Sequence, residues 1–191
     1  MAVKTKSELD KLTNDELVKY LDSLSVQTYK DYIDGDTKIR YFIYVHGENI
    51  AKFLKNTNLF FPAITAMKCY ESGYGKSIPP NSFNYGGVKY NPNIHSDYVL
   101  VDAFEYVNKK KVPTKAKFAK FKNAEEGLKQ NIGVLLGSRY KKARDEAKSP
   151  EEQIKMIASL GYTSTPPDLY LREMSGIVKR IAKKTGFGKI V

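Results

Sequence analysis

The stretch of residues 62–77 reads PAITAMKCYESGYGKS and decides the fold. Pro62 fits the first turn of a helix, where its nitrogen needs no intrahelical partner, and Gly73 is a residue type on which helices end. The residues between them are mostly apolar, so the sequence predicts an apolar helix. Near its C-terminal end lies Glu71, where the helix dipole opposes a negative charge. Aromatic neighbours would shield this carboxyl group and favour its protonated form, which a general acid requires.

Glu71 has a second interpretation, a partly exposed carboxylate paired with Lys68 or Lys76, and the residues alone leave both interpretations open. Another acidic candidate is Glu105, within the strand-like segment of residues 98–107. A charged residue inside an apolar strand faces either solvent or a cleft, and the alternation of side chains does not decide which.

Outward from this helix, the sequence predicts an α+β protein that is mainly helical. The apolar residues of segment 39–55 share one helix face, whereas segment 74–95 is rich in Gly, Pro, Asn and Ser and predicts a long loop. A strand over 98–107 and a return strand over 111–121 follow. Further helices are expected over about 124–147, from Pro150 until Gly161, and from about Pro167 to about Lys184. A small β element of this kind builds one wall of a cleft against a helical lobe.

Charge is unevenly spread along the chain. The 191 residues hold 32 Lys and Arg against 21 Asp and Glu, a net charge of +11, which favours an anionic partner. Residues 1–36 contain 5 Lys and 8 acidic residues, a net −3, and residues 37–191 contain the other 27 and 13, a net +14. The change of sign predicts an acidic helical extension over 1–36 and a main domain over 37–191. The extension either packs on this domain or docks another protein.

Composition excludes several kinds of site. Cys69 is the only cysteine, which excludes an internal disulfide and a multi-cysteine zinc site, and His46 and His95 form no HExxH motif. The GKS of residues 75–77 lacks the first glycine of a P-loop and follows a helix, so no nucleotide site is expected. The sequence therefore predicts no metal and no other cofactor. It also lacks an apolar run of transmembrane length, and its N-terminus lacks the apolar core of a secretory signal, so we expect another route of delivery.

The segment of residues 66–77, AMKCYESGYGKS, is similar to the AQALLESGWGKS segment of family 73 glycoside hydrolases, the peptidoglycan N-acetylglucosaminidases. Five further segments follow in the order of the family. They are NYGGVK at 84–89 for NLFGIK, FEYVN at 104–108 for TEYVNG, FAKFKN at 118–123 for FRKYDS, RY at 139–140 for RY, and GYTSTP at 161–166 with Tyr170 for GYATDPNYA. The resemblance covers about residues 38–184 and implies a lysozyme-like helical lobe with a small β-hairpin lobe forming a cleft.

The resemblance also implies roles for individual residues. Glu71 matches the general acid, which protonates the glycosidic oxygen after N-acetylglucosamine. Glu105 matches a second carboxylate on the β-lobe, which activates water or stabilises an oxocarbenium-like transition state. Tyr162 matches a cleft tyrosine that orients the acetamido group or stacks on a sugar, and its alternative is a core tyrosine at a helix end. The residues expected to bind substrate, most of them as aromatic platforms, are Tyr74, Asn84, Tyr85, Tyr90 and Tyr170.

At three positions the chain lacks a residue that is usual in the family segments. Met67 stands in place of a Gln, Tyr74 in place of a Trp, and Thr165 in place of an Asp. The chain has no Trp, but its 14 Tyr and 9 Phe still supply aromatic surfaces for sugar rings. We interpret these changes as those of a divergent, active member.

The leading hypothesis is a peptidoglycan hydrolase that cleaves the β-1,4 bond after N-acetylglucosamine. We expect a bacteriophage origin: an endolysin made in the host cytoplasm and released by a holin, or a lysin delivered in the virion. Residues 1–36 would then bind another phage protein. The alternatives are a lytic transglycosylase or muramidase using Glu71 alone, and a non-catalytic cell-wall-binding or structural virion protein. A nucleic-acid binder is suggested only by the charge of segments such as 109–111, and no recognition motif supports it.

Overall fold

The computed structural model describes residues 3–107 and 110–185, and the side chains of residues 103–111 lie outside that description. Its helices are α1 (Lys6–Asp10), α2 (Asn14–Ser23), α3 (Val26–Tyr32), α4 (Gly35–Leu54), α5 (Phe61–Glu71), α6 (Ala124–Leu136), α7 (Lys141–Glu146), α8 (Pro150–Ile157) and α9 (Pro167–Thr185). Two antiparallel strands, β1 (Tyr98–Val107) and β2 (Lys110–Ala119), stand between α5 and α6 in the chain. This is the mainly helical α+β fold with a β-hairpin that the sequence predicts.

Helix α5 is buried on every side. Residues 61–69 are all buried, and α4, α8 and α9 pack around the helix. The buried side chain of Gln153, on α8, anchors the N-terminal end of α5. Its Oε1 accepts a hydrogen bond from the Phe60 amide at 2.8 Å, and its Nε2 donates to the carbonyl oxygens of Asn58 and Ala143, each at 3.1 Å. Because burial of a polar amide is costly unless its hydrogen bonds are made, these three bonds fix α5 against its neighbours.

The extension predicted over residues 1–36 folds into three short helices, α1–α3. Helices α1 and α2 each begin with a capping box, at Thr5 and Thr13. The predicted boundary after residue 36 falls within the first turn of α4. Arg40 on α4 donates to the carbonyl oxygens of Leu9 and Leu12, at 3.3 and 2.6 Å, and so joins the extension to the main domain.

A separate hydrophobic cluster, called here the N-terminal cluster, lies between the extension and α4. Its buried members are Leu9, Leu17, Leu21, Tyr29, Ile33 and Tyr41. Three of them are leucines that recur at roughly helical spacing, as on an apolar helix face. The extension thus packs on the main domain, which is the first of the two roles considered for it.

The hairpin and the loop before it follow the predictions. In the register of the two strands Tyr98 lies opposite Ala119 and Glu105 opposite Val112. No helix or strand interrupts the loop of residues 74–95 apart from an isolated bridge that pairs Lys89 with Phe118. This bridge lays the loop along β2.

The prediction of a single helix over about 124–147 is wrong, because Gly137 interrupts the helix. There the backbone turns to an extended ψ of 158°, which ends α6, and a short 3₁₀ turn (Ser138–Tyr140) precedes α7. Arg144 donates to the carbonyl oxygens of Leu135 and Gly137, at 2.5 and 2.9 Å, and so satisfies groups at the end of α6. The predicted end of the next helix at Gly161 is confirmed. A π-helical turn (Ala158–Tyr162) follows α8, and Gly161 within it has a φ of 84°.

The part of the chain that the structure describes contains neither a membrane-spanning helix nor a metal-binding cluster of side chains. None of its helices combines the length and apolar character needed to cross a membrane. Among the same residues, no cluster of three or more His, Cys, Asp or Glu side chains has an arrangement that could hold a metal ion.

His46 lies in the interior, on α4. Its ring is 4.8 Å from that of Phe42 and 4.6 Å from that of Tyr85, and its Nδ1 has no hydrogen-bond partner among the described residues. Burial lowers the pKa of His46 to about 4. The folded protein therefore holds this imidazole neutral at pH values where an exposed histidine would be charged.

We expect the acid stability of the fold to depend on His46. In the unfolded chain this residue binds a proton near its ordinary pKa of 6.5, whereas the folded chain binds it only near pH 4. The free energy of unfolding therefore falls as the pH is lowered through that window, by about 2 kcal/mol between pH 7 and pH 5. His46→Gln should show a smaller pH dependence in urea unfolding at these two pH values. Equal pH dependence in the two proteins would contradict this prediction.

Candidate functional site

Glu71 is the last residue of α5 and is half-buried. Its Oε1 accepts a hydrogen bond of 2.7 Å from the hydroxyl of Tyr170, a buried residue of α9. Burial, together with the charge of Glu71, raises the pKa of Tyr170 well above its usual range, so the phenol remains a donor. This bond fixes one carboxyl oxygen of Glu71 and leaves the other for a different partner.

Further tyrosine rings cluster around Tyr170, the partner of this carboxyl group. The ring of Tyr162 lies 6.4 Å from that of Tyr170 and 6.3 Å from that of Tyr140, and Tyr70 meets Tyr170 edge-on at 5.8 Å. Burial, and after it the charge of Glu71, raises the pKa of Tyr162. The structure thus brings Glu71, Tyr162 and Tyr170 together, as expected for a single site built from α5 and the segment around Gly161.

The sequence suggested Lys68 only as a partner for a partly exposed Glu71, whereas the structure buries its side chain at the site. It lies one turn before Glu71 on α5, is fully buried, and donates from Nζ to the hydroxyl oxygen of Tyr162 at 3.1 Å. Burial lowers its pKa to about 8, an effect that the charge of Glu71 partly opposes. The signal in the sequence was a lysine within an otherwise apolar helix, since such a helix has no solvent-facing side for it.

The turn after Glu71 is wound in the left-handed region of the backbone. Gly73, Tyr74 and Gly75 have φ values of 54°, 58° and 86°. The buried hydroxyl of Ser72 accepts from the Gly75 amide at 2.9 Å and donates to the Lys68 carbonyl at 2.5 Å. The glycines accept this geometry without the steric cost that a side chain brings, so the turn folds sharply back against the end of α5.

Lys76, the other lysine considered as a partner for Glu71, reaches the N-terminal extension instead. Its ammonium pairs with Asp22 and lies over the rings of Tyr29 and Tyr41, at 5.7 and 5.1 Å. The hydroxyl of Tyr41 donates to the same Asp22 carboxylate at 2.7 Å. The extension therefore contacts the turn that follows Glu71.

Asn84, predicted to bind substrate, is buried, and its side chain forms three hydrogen bonds to the backbone. Its Nδ2 donates to the carbonyl oxygens of Val88 and Ala119, at 2.9 and 3.0 Å, and its Oδ1 accepts from the Val88 amide at 3.0 Å. The structure thus places Asn84 as a link between the long loop and the end of β2. Its contact with substrate stays a prediction.

The remaining predicted binding tyrosines lie in different surroundings. Tyr85 is buried against Phe42 and His46. Tyr74 packs against both the hydrophobic core of the main domain and the N-terminal cluster. Tyr90 is partly exposed, and its ring lies 4.9 Å from that of Tyr98 at the start of β1. Tyr90 is therefore the one of these three whose ring stands beside an exposed aromatic surface, and the binding roles of all three stay predictions.

Glu105 lies on β1 opposite Val112, as the strand prediction requires. Its side chain falls outside the described part of the structure. The role of Glu105 as a second carboxylate stays a prediction.

One family model matches the chain over residues 47–183, and its description is mannosyl-glycoprotein endo-beta-N-acetylglucosaminidase. This span contains Glu71, Lys68, Tyr162 and Tyr170. No curated protein matches the chain.

Several solved structures share the fold. A mutant peptidoglycan hydrolase from Sphingomonas sp. A1 has 19% identity and a TM-score of 0.64, over 74% of this chain and 97% of its own. The catalytic domain of the autolysin Auto from Listeria monocytogenes has 21% identity and a TM-score of 0.62, over 94% and 96%. A C-terminally truncated glycoside hydrolase domain of FlgJ from Salmonella typhimurium has 22% identity and a TM-score of 0.58, over 74% and 96%. At these identities the likeness establishes the fold.

Asn84→Ala tests the link between the long loop and β2. The change leaves the buried partners of Asn84 without their hydrogen bonds, and we expect the free energy of unfolding to fall by about 2–4 kcal/mol. Asn93→Ala, at an exposed position of the same loop, should stay within about 0.5 kcal/mol of wild type. Urea unfolding of the three proteins measures both values. Equal stability of the two variants would show that Asn84 does not hold the loop.

Proposed function

The chain belongs to the glucosaminidase family of glycoside hydrolases, and from this premise we propose that it cleaves the glycan strand of peptidoglycan at the β-1,4 bond after N-acetylglucosamine. The substrate class is supported by the similar folds of a peptidoglycan hydrolase and an autolysin. The family confirms the resemblance found in the sequence, and with it that the chain is a glycoside hydrolase.

The environment of Glu71 is the observation that carries the proposal. One oxygen of its carboxyl group is held by Tyr170 at 2.7 Å, while the residue remains half exposed at the end of a buried helix. A carboxyl group fixed in this way can present its second oxygen, with a proton, to a glycosidic oxygen in the cleft. We assign Glu71 the role of general acid.

Two further residues complete the proposed reaction. Tyr162 stands beside Tyr170 with a hydroxyl whose oxygen already accepts from Lys68, so its hydrogen is available to an oxygen of the substrate, such as that of the acetamido group. Glu105, on the β-lobe, would activate water or stabilise the oxocarbenium-like transition state after Glu71 has given up its proton.

The charge of the main domain supports an anionic substrate. Residues 37–191 carry a net charge of +14, which attracts the protein to an anionic cell envelope. Added salt screens the charges and weakens this attraction. An endolysin or virion-associated role in a bacteriophage, with action on the cell wall and a phage partner for residues 1–36, stays a prediction from the sequence.

Product analysis on purified sacculi tests the cleavage site. We expect wild type to lower turbidity and to release muropeptides with N-acetylglucosamine at the reducing end, identified by mass spectrometry. Glu71→Gln removes the transferable proton and should lower the rate by about 10²–10⁴-fold. Glu105→Gln should also lower it by at least about tenfold. Asp102→Asn is the matched control, since Asp102 is an exposed residue on the opposite face of β1, and it should keep the wild-type rate.

The same products separate the alternative functions. An anhydro product, or N-acetylmuramic acid at the reducing end, with full activity of Glu105→Gln, would favour a transglycosylase or muramidase using Glu71 alone. A failure of wild type to release muropeptides from several wall types would favour a non-catalytic cell-wall protein. The first outcome would replace the proposed cleavage site, and the second would overturn the proposed function.

A further inference from the structure

We propose that Lys68 is a positioning residue, which holds the hydroxyl of Tyr162 so that its hydrogen is directed at the substrate. The inference rests on the glucosaminidase function proposed above, and it gives a role to a fully buried cation one turn before Glu71. Lys68 acts through Tyr162, to which its Nζ donates at 3.1 Å.

The direction of this hydrogen bond follows from the chemistry of the two groups. A lysine ammonium has only hydrogens to offer, whereas a phenol has one hydrogen and two lone pairs. The Tyr162 oxygen must therefore accept, and its own hydrogen must point away from Lys68. Burial raises the pKa of Tyr162, so the hydrogen is retained. Because Tyr162 is only partly buried, a hydrogen turned away from Lys68 can reach a group bound in the cleft.

The surroundings of Lys68 leave room for an ammonium group. A Cβ atom placed on Gly86 would lie 2.8 Å from the Lys68 nitrogen and 1.9 Å from Oδ1 of Asn131, so a side chain at position 86 would displace both. Asn131 donates from Nδ2 to the Gly127 carbonyl at 2.6 Å, which turns its Oδ1 toward Gly86. This Oδ1 is buried and has no hydrogen-bond partner in the described residues. A carbonyl oxygen of this kind beside the ammonium is electrostatically favourable.

The cation is costly to keep in this position. Burial lowers the pKa of Lys68 to about 8, and Glu71 is the charged group that offsets the effect. An apolar side chain of similar length would avoid the cost of burying a charge. In the family segments quoted above, Ala stands at the position of Lys68 and Phe at that of Gly86. The two positions adjoin here, since a Cβ atom on Gly86 would meet the Lys68 nitrogen, which fits an exchange of a packed ring for a buried ammonium that serves Tyr162.

A double-mutant cycle on sacculus hydrolysis tests the proposal. Lys68→Met keeps the length of the side chain and removes the donor, and it should lower kcat about tenfold with KM within about twofold of wild type. In a Tyr162→Phe background the same change should alter kcat by less than about twofold, because the hydroxyl it acts on is already gone. Lys55→Met, at an exposed lysine, is the control and should keep wild-type kcat.

Thermal unfolding separates this role from a structural one. Because Lys68→Met removes a buried charge, its Tm should equal or exceed that of wild type. A tenfold loss of kcat that persists in the Tyr162→Phe background, or a loss that follows a lowered Tm, would overturn the proposal.

A readout without substrate keeps the inference apart from the proposed function. In protein labelled with ¹³Cζ-tyrosine, the Tyr162 resonance is identified by its absence from Tyr162→Phe. Lys68→Met should shift this resonance and leave that of Tyr90 unchanged. If wild type cleaves no glycan, the proposed function fails, whereas an unshifted Tyr162 resonance overturns the role of Lys68.

Discussion

The burial of α5 on every side is the constraint on which the rest of the structure depends. Helices α4, α8 and α9 surround it, and the Gln153 side chain ties its first turn to two other segments. Because close-packed interiors resist displacement, the far end of the helix is equally fixed. Glu71 therefore stands half exposed on a rigid support, which suits the general-acid role proposed for it, because that role needs one fixed geometry.

A helix without a solvent-facing side obliges its polar residues to find partners in the interior. Lys68 finds the Tyr162 hydroxyl, and the Ser72 hydroxyl caps the backbone at the end of the helix. A buried polar contact also joins the β-hairpin to the helical lobe, since Asn84 donates a hydrogen bond to the last carbonyl oxygen of β2. Gly127, on α6, lets the Phe83 carbonyl approach to a distance that a side chain there would forbid. The two walls of the cleft are thus connected through buried polar contacts.

Local signals predicted most of the fold and the position of Glu71. Pro62 and Gly73 bound α5 because both act on the backbone of their own neighbourhood, and the hairpin follows from β-branched composition. Gly137 was missed because a glycine inside a helical pattern can also be tolerated. The interior placement of Lys68 and Asn84 depends on contacts with residues 94 and 35 positions away. No local pattern contains such contacts.

The contact between Asp22 and Lys76 has a consequence for how the chain is made. Tyr74 packs against the N-terminal cluster, and Lys76 lies over two of its tyrosine rings. Synthesis on the ribosome proceeds from the N-terminus, so the extension emerges before these partners exist and waits incompletely packed until residues 74–76 leave the exit tunnel. Only then can the acidic segment pack against the turn beside Glu71, because the two segments are distant in the order of translation.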